Sequence, residues 1–158
     1  MLCIIWGSSF ILIKLGLNQL SPYQVAAIRL ASDGLVLLPV TIRHYKKIPK
    51  DKLFIIFLSG TLGNLIPAFL FCIAESRIDS ALAGALNALT PLCAIIIGAV
   101  VFHNKFQKSK IIGIAIALAG SLLLLFSKGF ILGKNELYCL LVVAATICYG
   151  FNVNMVYR

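Results

Sequence analysis

The sequence predicts an all-α, polytopic membrane protein, and three observations carry that prediction. The 158 residues are 61% hydrophobic and 12% charged, whereas soluble domains average about 45–50% apolar and about 25% charged. The apolar residues are gathered in long blocks, most of them close to the roughly 20 residues that span a ~30 Å hydrocarbon core. The cations collect in the stretches between alternate blocks. Lipid is the expected solvent, and in lipid the backbone satisfies its own hydrogen bonds, which favours helices. The alternating polar pattern of a transmembrane barrel is absent.

Six blocks follow in order. Residues 2–17 form the first, with no basic stretch before it and no A-x-A-like site after it, so it reads as a helix and not as a cleaved signal peptide. Residues 23–42, 53–74 and 81–102 form the next three. Residues 111–126 form a shorter fifth, and residues 137–156 the sixth. Pro67 and Pro91 interrupt the third and fourth helices, because proline lacks the N–H that the ladder needs. Ser80, Gly84 and Ala88 make a small-residue face on the fourth helix, and Gly113, Ala117 and Ser121 a similar one on the fifth, for close helix approach.

The net charge of +9 has a location that decides its meaning. Arg43, Lys46, Lys47, Lys50 and Lys52 share one loop, and Lys105, Lys108 and Lys110 another, while the alternate loops are poor in cations. This positive-inside asymmetry places the N-terminus and both basic loops in the cytoplasm, in a plasma (inner) membrane. No loop is long enough for a basic domain, so no nucleic-acid partner is expected. The five cysteines lie within apolar blocks without a C-x-x-C pair, which reads as small hydrophobes and not as a disulfide framework. His44 and His103 are isolated loop histidines, and neither a metal nor a cofactor is expected.

An internal repeat is visible at an offset of 143 residues. It sets TICYGFNVNMV (146–156) under CIIWGSSFILI (3–13), so that Trp6 meets Tyr149, Gly7 meets Gly150 and Ser9 meets Asn152. A five-helix unit has an odd number of spans, so its second copy inserts upside down. Such inverted repeats underlie transporter folds, with the substrate site near the midplane between them. The expected organisation is a first repeat over 1–126, an outer loop over 127–136 and the first helix of a second repeat over 137–158, with the rest of that repeat beyond the chain.

Ionisable groups inside spans cost roughly 2.5–3.5 kcal/mol each at a helix centre, which makes them pointers to function. Arg29 lies about 9 Å and Asp33 about 15 Å into the second helix, on one face at i,i+4 spacing. They read either as charged groups in a polar cavity or as an internal ion pair. Lys14, near a helix end, is expected to snorkel to the interface. Glu75, beside Arg77 and Asp79, reads as an interfacial charge. Asn64, Asn87 and Thr90 line a cavity or bond across helices.

Taken together, WGSSFILIKLGLNQLSP (6–22), Arg29 in AAIRL (26–30), SALAGALNALTPL (80–92) and GIAIALAG (113–120) resemble the EamA-type family of the drug/metabolite transporter superfamily. The resemblance covers the first repeat almost end to end. It implies ten helices in two inverted repeats, small-solute transport and no prosthetic group. The sequence departs from the family where a glutamate usually stands nine residues before the glycine matching Gly113; here that place is Asn104.

The expectation is a secondary transporter of small metabolites or drugs working by alternating access, with Trp6, Ser9, Arg29, Asp33, Asn64, Asn87 and Thr90 as cavity candidates. Its partners would be a small-molecule substrate, the lipid bilayer, and a second repeat or homodimer mate. Two other readings stand beside it. One is a membrane scaffold or half-size subunit active only as a dimer. The other is an intramembrane enzyme, disfavoured because no histidine or second carboxylate joins Asp33 at membrane depth.

Overall fold

The computed structural model describes residues 2–44, 48–104, 112–116, 118–120, 123 and 136–156. All regular structure among them is helical. Helix α1 runs Leu2–Gly16 and α2 runs Pro22–His44. Helix α3 spans Lys50–Glu75 and α4 spans Ser80–Val100. Residues 112–116 and 118–120 are helical turns of α5, and α6 runs Glu136–Val156. Helices α2, α3, α4 and α6 are each long and apolar enough to cross a membrane, whereas α1 is shorter. The chain is an all-α, polytopic integral membrane protein. Part of the predicted fifth span and most of the 127–136 loop lie outside the described residues.

Local chemistry explains where the helices begin and bend. At the start of α2, Ser21 N–H donates to Gln24 Oε1 at 2.9 Å and Gln24 N–H to Ser21 Oγ at 3.3 Å. This reciprocal capping box occupies donors that a helix start leaves open, and Pro22 beside it has no N–H to satisfy. Inside α2, Ser32 Oγ donates to Ile28 O at 2.6 Å and Thr41 Oγ1 to Leu37 O at 3.0 Å. These hydroxyls are thereby satisfied within their own helix on an exposed face.

Pro67 does not break α3. The helix passes from α (Leu53–Gly60) into a π turn (Thr61–Leu65) and back into α (Ile66–Glu75). The wider turn accommodates the proline ring, which would otherwise press on the carbonyl four residues earlier. In α4 the helix tightens at residues 88–89, between Ser80–Asn87 and Thr90–Val100, just before Pro91. At its far end His103 adopts φ 54 and Asn104 N–H reaches back to Gly98 O at 2.8 Å, turning the chain out of the helix.

The sixth helix is the centrepiece of the packing. Val142, Ala145 and Thr146 are fully buried, against α3 and α4. Phe71, Ala74, Ile78, Ala83, Val142 and Ala145 form one core, bordered by Phe10 and Tyr149; Ile13, Val25, Ala26 and Cys72 form a second between α1, α2 and α3. Gly84 faces Phe10 of α1, with 3.9 Å for an added Cβ, so the small-residue face of α4 seats α1. The residues from 31 to 44 of α2 and Leu53 to Phe57 of α3 are exposed, and mostly apolar. A surface of that kind is unsuited to water and suited to lipid or a further helical partner.

Candidate functional site

The interior of the bundle holds a polar cluster at the end where α3 turns into α4. The stripe Ala68, Phe71, Cys72 and Glu75 follows the helical period and faces inward, so the last turn of α3 carries a carboxylate into the core. Glu75 is fully buried. The sequence expectation of an interfacial charge is therefore corrected: Arg77 and Asp79 point outward, but position 75 lies on the packed stripe.

Lys14 of α1 reaches this junction. Its Nζ donates to Glu75 O at 2.8 Å and to Ile78 O at 2.9 Å. These are carbonyls at the C-terminal end of α3, where a cation meets the negative end of the helix dipole. Lys14 thus ties α1 to the 76–79 turn and does not simply snorkel outward. Ser80 Oγ lies 3.1 Å from Glu75 Oε2 and 3.3 Å from Phe10 O, and Glu75 Oε1 has no hydrogen-bond partner among the described residues.

Arg29 of α2 is partly buried and lies within electrostatic reach of Glu75, Cys72 and Tyr149. Tyr149 stacks at 6.2 Å on Phe71, which in turn meets Phe10 at 5.7 Å. Asp33 is exposed one turn beyond Arg29, and no ion pair joins the two. The internal ion pair of the sequence reading is thus not formed, and Asp33 takes no part in the cluster.

The other candidates fall elsewhere. Thr90 Oγ1 donates to Asn87 Oδ1 at 3.1 Å across the tightened turn of α4. Thr90 also lines an apolar groove of about 590 Å³ with Pro91, Ala94, Ile95, Ile114 and Val153. Asn64 sits in the π turn of α3 and is exposed. Ser9 is partly buried beside the exposed Gly7 and Ser8. Trp6 is helical, and its side chain lies outside the described residues. Among the candidates whose side chains are described, Arg29 is the one brought to the cluster. Among the described residues no three His, Cys, Asp or Glu side chains are grouped to hold a metal ion.

A second polar seam holds α6. Ser59 Oγ donates to Asn152 Oδ1 at 2.6 Å, next to the π turn. Asn154 donates to Ala94 O at 2.7 Å and to Gly150 O at 2.9 Å, and accepts from Asn104 Nδ2 at 3.0 Å. Asn104, which stands where the resembled family usually has glutamate, is thus part of an amide chain between α4 and α6. The repeat register pairs Tyr149 with Trp6 and Asn152 with Ser9, so it marks these interior residues of α6; the burial of Lys14, Glu75 and Ser80 depends on long-range packing that no local pattern encodes.

The EamA-like transporter family matches this chain over residues 1–126. The uncharacterized inner membrane transporter YedA of Escherichia coli (strain K12) is 30% identical over 152 residues, covering 95% of this chain and 49% of the relative. A probable amino-acid metabolite efflux pump of Salmonella typhimurium is 30% identical over 123 residues, covering 77% and 40%. An uncharacterized transporter of Archaeoglobus fulgidus is 30% identical over 115 residues, covering 73% and 41%. The chain spans about half the length, or less, of these curated relatives. No solved structure matches it.

Proposed function

The chain belongs to the EamA-like transporter family, and from that premise we propose that it forms one half of a secondary transporter of small metabolites or drugs that works by alternating access, and that it is not an enzyme. The observation that carries the proposal is Arg29, a cation held partly buried inside an apolar bundle, near Glu75 and Tyr149. A guanidinium at membrane depth is expensive unless a cavity or an anion meets it. It matches a carboxylate in a two-point fork. The solute class that fits is a small anion or zwitterion, in keeping with the amino-acid metabolite efflux named for one relative.

The other wall of the path comes from a second inverted repeat, with 1–126 as the first and 137–158 as the opening helix of the second. It would dock on the exposed Gly7–Ser8 stretch of α1 and the exposed length of α2, where Trp6, Ser9, Asn64, Asn87 and Thr90 complete the lining. A second copy of the chain would supply the same wall if it acts as a half-size subunit. The basic 43–52 and 103–110 loops support an N-terminus on the cytoplasmic side of a plasma (inner) membrane. Nucleic acid has no part in this reading.

The test is uptake by proteoliposomes against a panel of amino acids, other carboxylated metabolites and cationic drugs. Saturable uptake of a carboxylated solute that Arg29→Gln abolishes, with the variant still folded, is the expected result. Uptake of that solute by Arg29→Gln at the rate of the parent protein would overturn the role of Arg29.

A further inference from the structure

We propose that Glu75 is a proton-binding site: its carboxyl is held as the neutral acid in the arrangement seen here and gives up its proton when α4 parts from α1. The hydrogen-bond inventory around Glu75 leads to this. Ser80 Oγ carries a single hydrogen but stands 3.1 Å from Glu75 Oε2 and 3.3 Å from Phe10 O, two groups that accept. An ionised Glu75 would leave Oε1, fully buried and without a partner among the described residues, as a charged oxygen with no donor. With a proton on Oε2 the chain closes, Glu75 donating to Ser80 Oγ and Ser80 to Phe10 O.

Two cations, Lys14 and Arg29, face the site and act on Glu75, so the neutral form rests on its burial and hydrogen bonding and not on its charged neighbours. Lys14 of α1 spends two donors on Glu75 O and Ile78 O. Arg29 of α2 acts also on Cys72 of α3 and Tyr149 of α6, and Cys148 acts on Tyr149. Arg77 and Asp79 of the turn are exposed. Ser80 is the contact from α4. When the α1–α4 contact opens, the Oε2–H bond breaks, the proton passes to entering water, and the carboxylate left behind is met by the ammonium of Lys14. Opening and proton release are thereby the same event. Its use to drive solute movement rests on the transport reading above; the site itself does not.

The purified full chain in lipid nanodiscs, followed by infrared spectroscopy, tests the site without any solute. The C=O stretch of a protonated carboxyl should persist at neutral pH and be lost in Glu75→Gln, leaving Asp33, Asp51, Asp79 and Glu136 as the other side-chain carboxyls. Glu75→Gln should keep the parent melting temperature, because a neutral amide reproduces the donor to Ser80. Ser80→Ala, an independent variant, should shift the frequency of the band. Absence of the band in the parent protein, its survival in Glu75→Gln, or an unshifted band in Ser80→Ala would each overturn the proposal. In proteoliposomes with a transported member of the panel, Glu75→Gln should lose accumulation driven by a pH gradient while retaining solute exchange. Gradient-driven accumulation equal to that of the parent would overturn the coupling. A behaving band with no transported solute would instead refute the transport reading alone.

Discussion

The carboxamide of Asn152 occupies the space that any side chain at Gly63 would need. Asn152 is held there by Ser59 Oγ at 2.6 Å, so α6 is keyed to the π turn of α3 by one amide over one glycine. Gly63→Ala forces that amide away and breaks the Ser59 bond, with an expected loss of about 1–2 kcal/mol. Gly150→Ala is expected to do more harm, because its Cβ would fall 3.0 Å from Cys93 C and 3.1 Å from Ala94 N, backbone atoms that cannot swing aside. A loss near 3 kcal/mol, about the upper end for overpacking, is expected there. Gly7→Ala, at the matching place in the repeat, meets nothing within 4 Å among the described residues and should not lower the melting temperature. Thermal melts in detergent rank the three. Equal stability of Gly150→Ala and Gly7→Ala would contradict the close approach of α6 to α4.

Lys14 joins residues 61 and 64 positions away through Glu75 O and Ile78 O. Lys14→Met keeps the apolar stem and removes the donors, which leaves two helix-end carbonyls to find others. The expected cost is about 1.5–3 kcal/mol, the range for hydrogen bonds to a charged group. Methionine at full stability would mean that Lys14 is solvated at the interface and contributes no bond to the turn.

The extent to which the sequence could be read follows from what each feature depends on. Membrane spans depend on composition and length, and the irregular turns just before Pro67 and Pro91 on a missing N–H, so both are local and legible. The form at Pro67 is not: the sequence reads a break, whereas the helix runs on through a π turn. Glu75 misleads because its sequence neighbours Arg77 and Asp79 are charged, whereas the period through Ala68, Phe71 and Cys72 places it inside. Arg29 is legible as an expensive cation, but its surroundings are not. The i,i+4 spacing offers Asp33, and packing instead brings Glu75 and Tyr149 from α3 and α6.

Arg29 and Asp33 can be separated by substitution. Asp33 is exposed and takes no part in an ion pair with Arg29, so Asp33→Asn should change neither expression nor melting temperature beyond about 0.5 kcal/mol. Arg29→Gln should reduce solute uptake. A large loss of folded protein in Asp33→Asn, rescued by neutralising Arg29 as well, would restore the ion-pair reading.

The cation asymmetry predicts a topology that labelling can test. In a background without the native cysteines, cysteine replacing the exposed Lys50 should react with an impermeant reagent only after the membrane is opened. Rapid labelling in intact cells would invert the orientation.

Trp6 and Ser9 stand one helical turn apart on α1, at the register positions of Tyr149 and Asn152 on α6. Residues three apart on a helix share a face. On α6 that face is interior, with Tyr149 against Phe71 and Asn152 bonded to Ser59. On α1 the neighbouring Gly7 has open space around it, and Ser9 is only partly buried. If this face lines the solute path, Trp6→Ala should reduce uptake with little loss of folded protein, because an indole supplies a flat apolar surface and one N–H donor to the solute. Ser9→Cys should react with a small thiol reagent, and a saturating transported solute should slow the reaction. If the face only packs against lipid or helix, Trp6→Ala should lower the melting temperature instead, and the cysteine should react at one rate with and without solute. That second pair of results would remove both residues from the path.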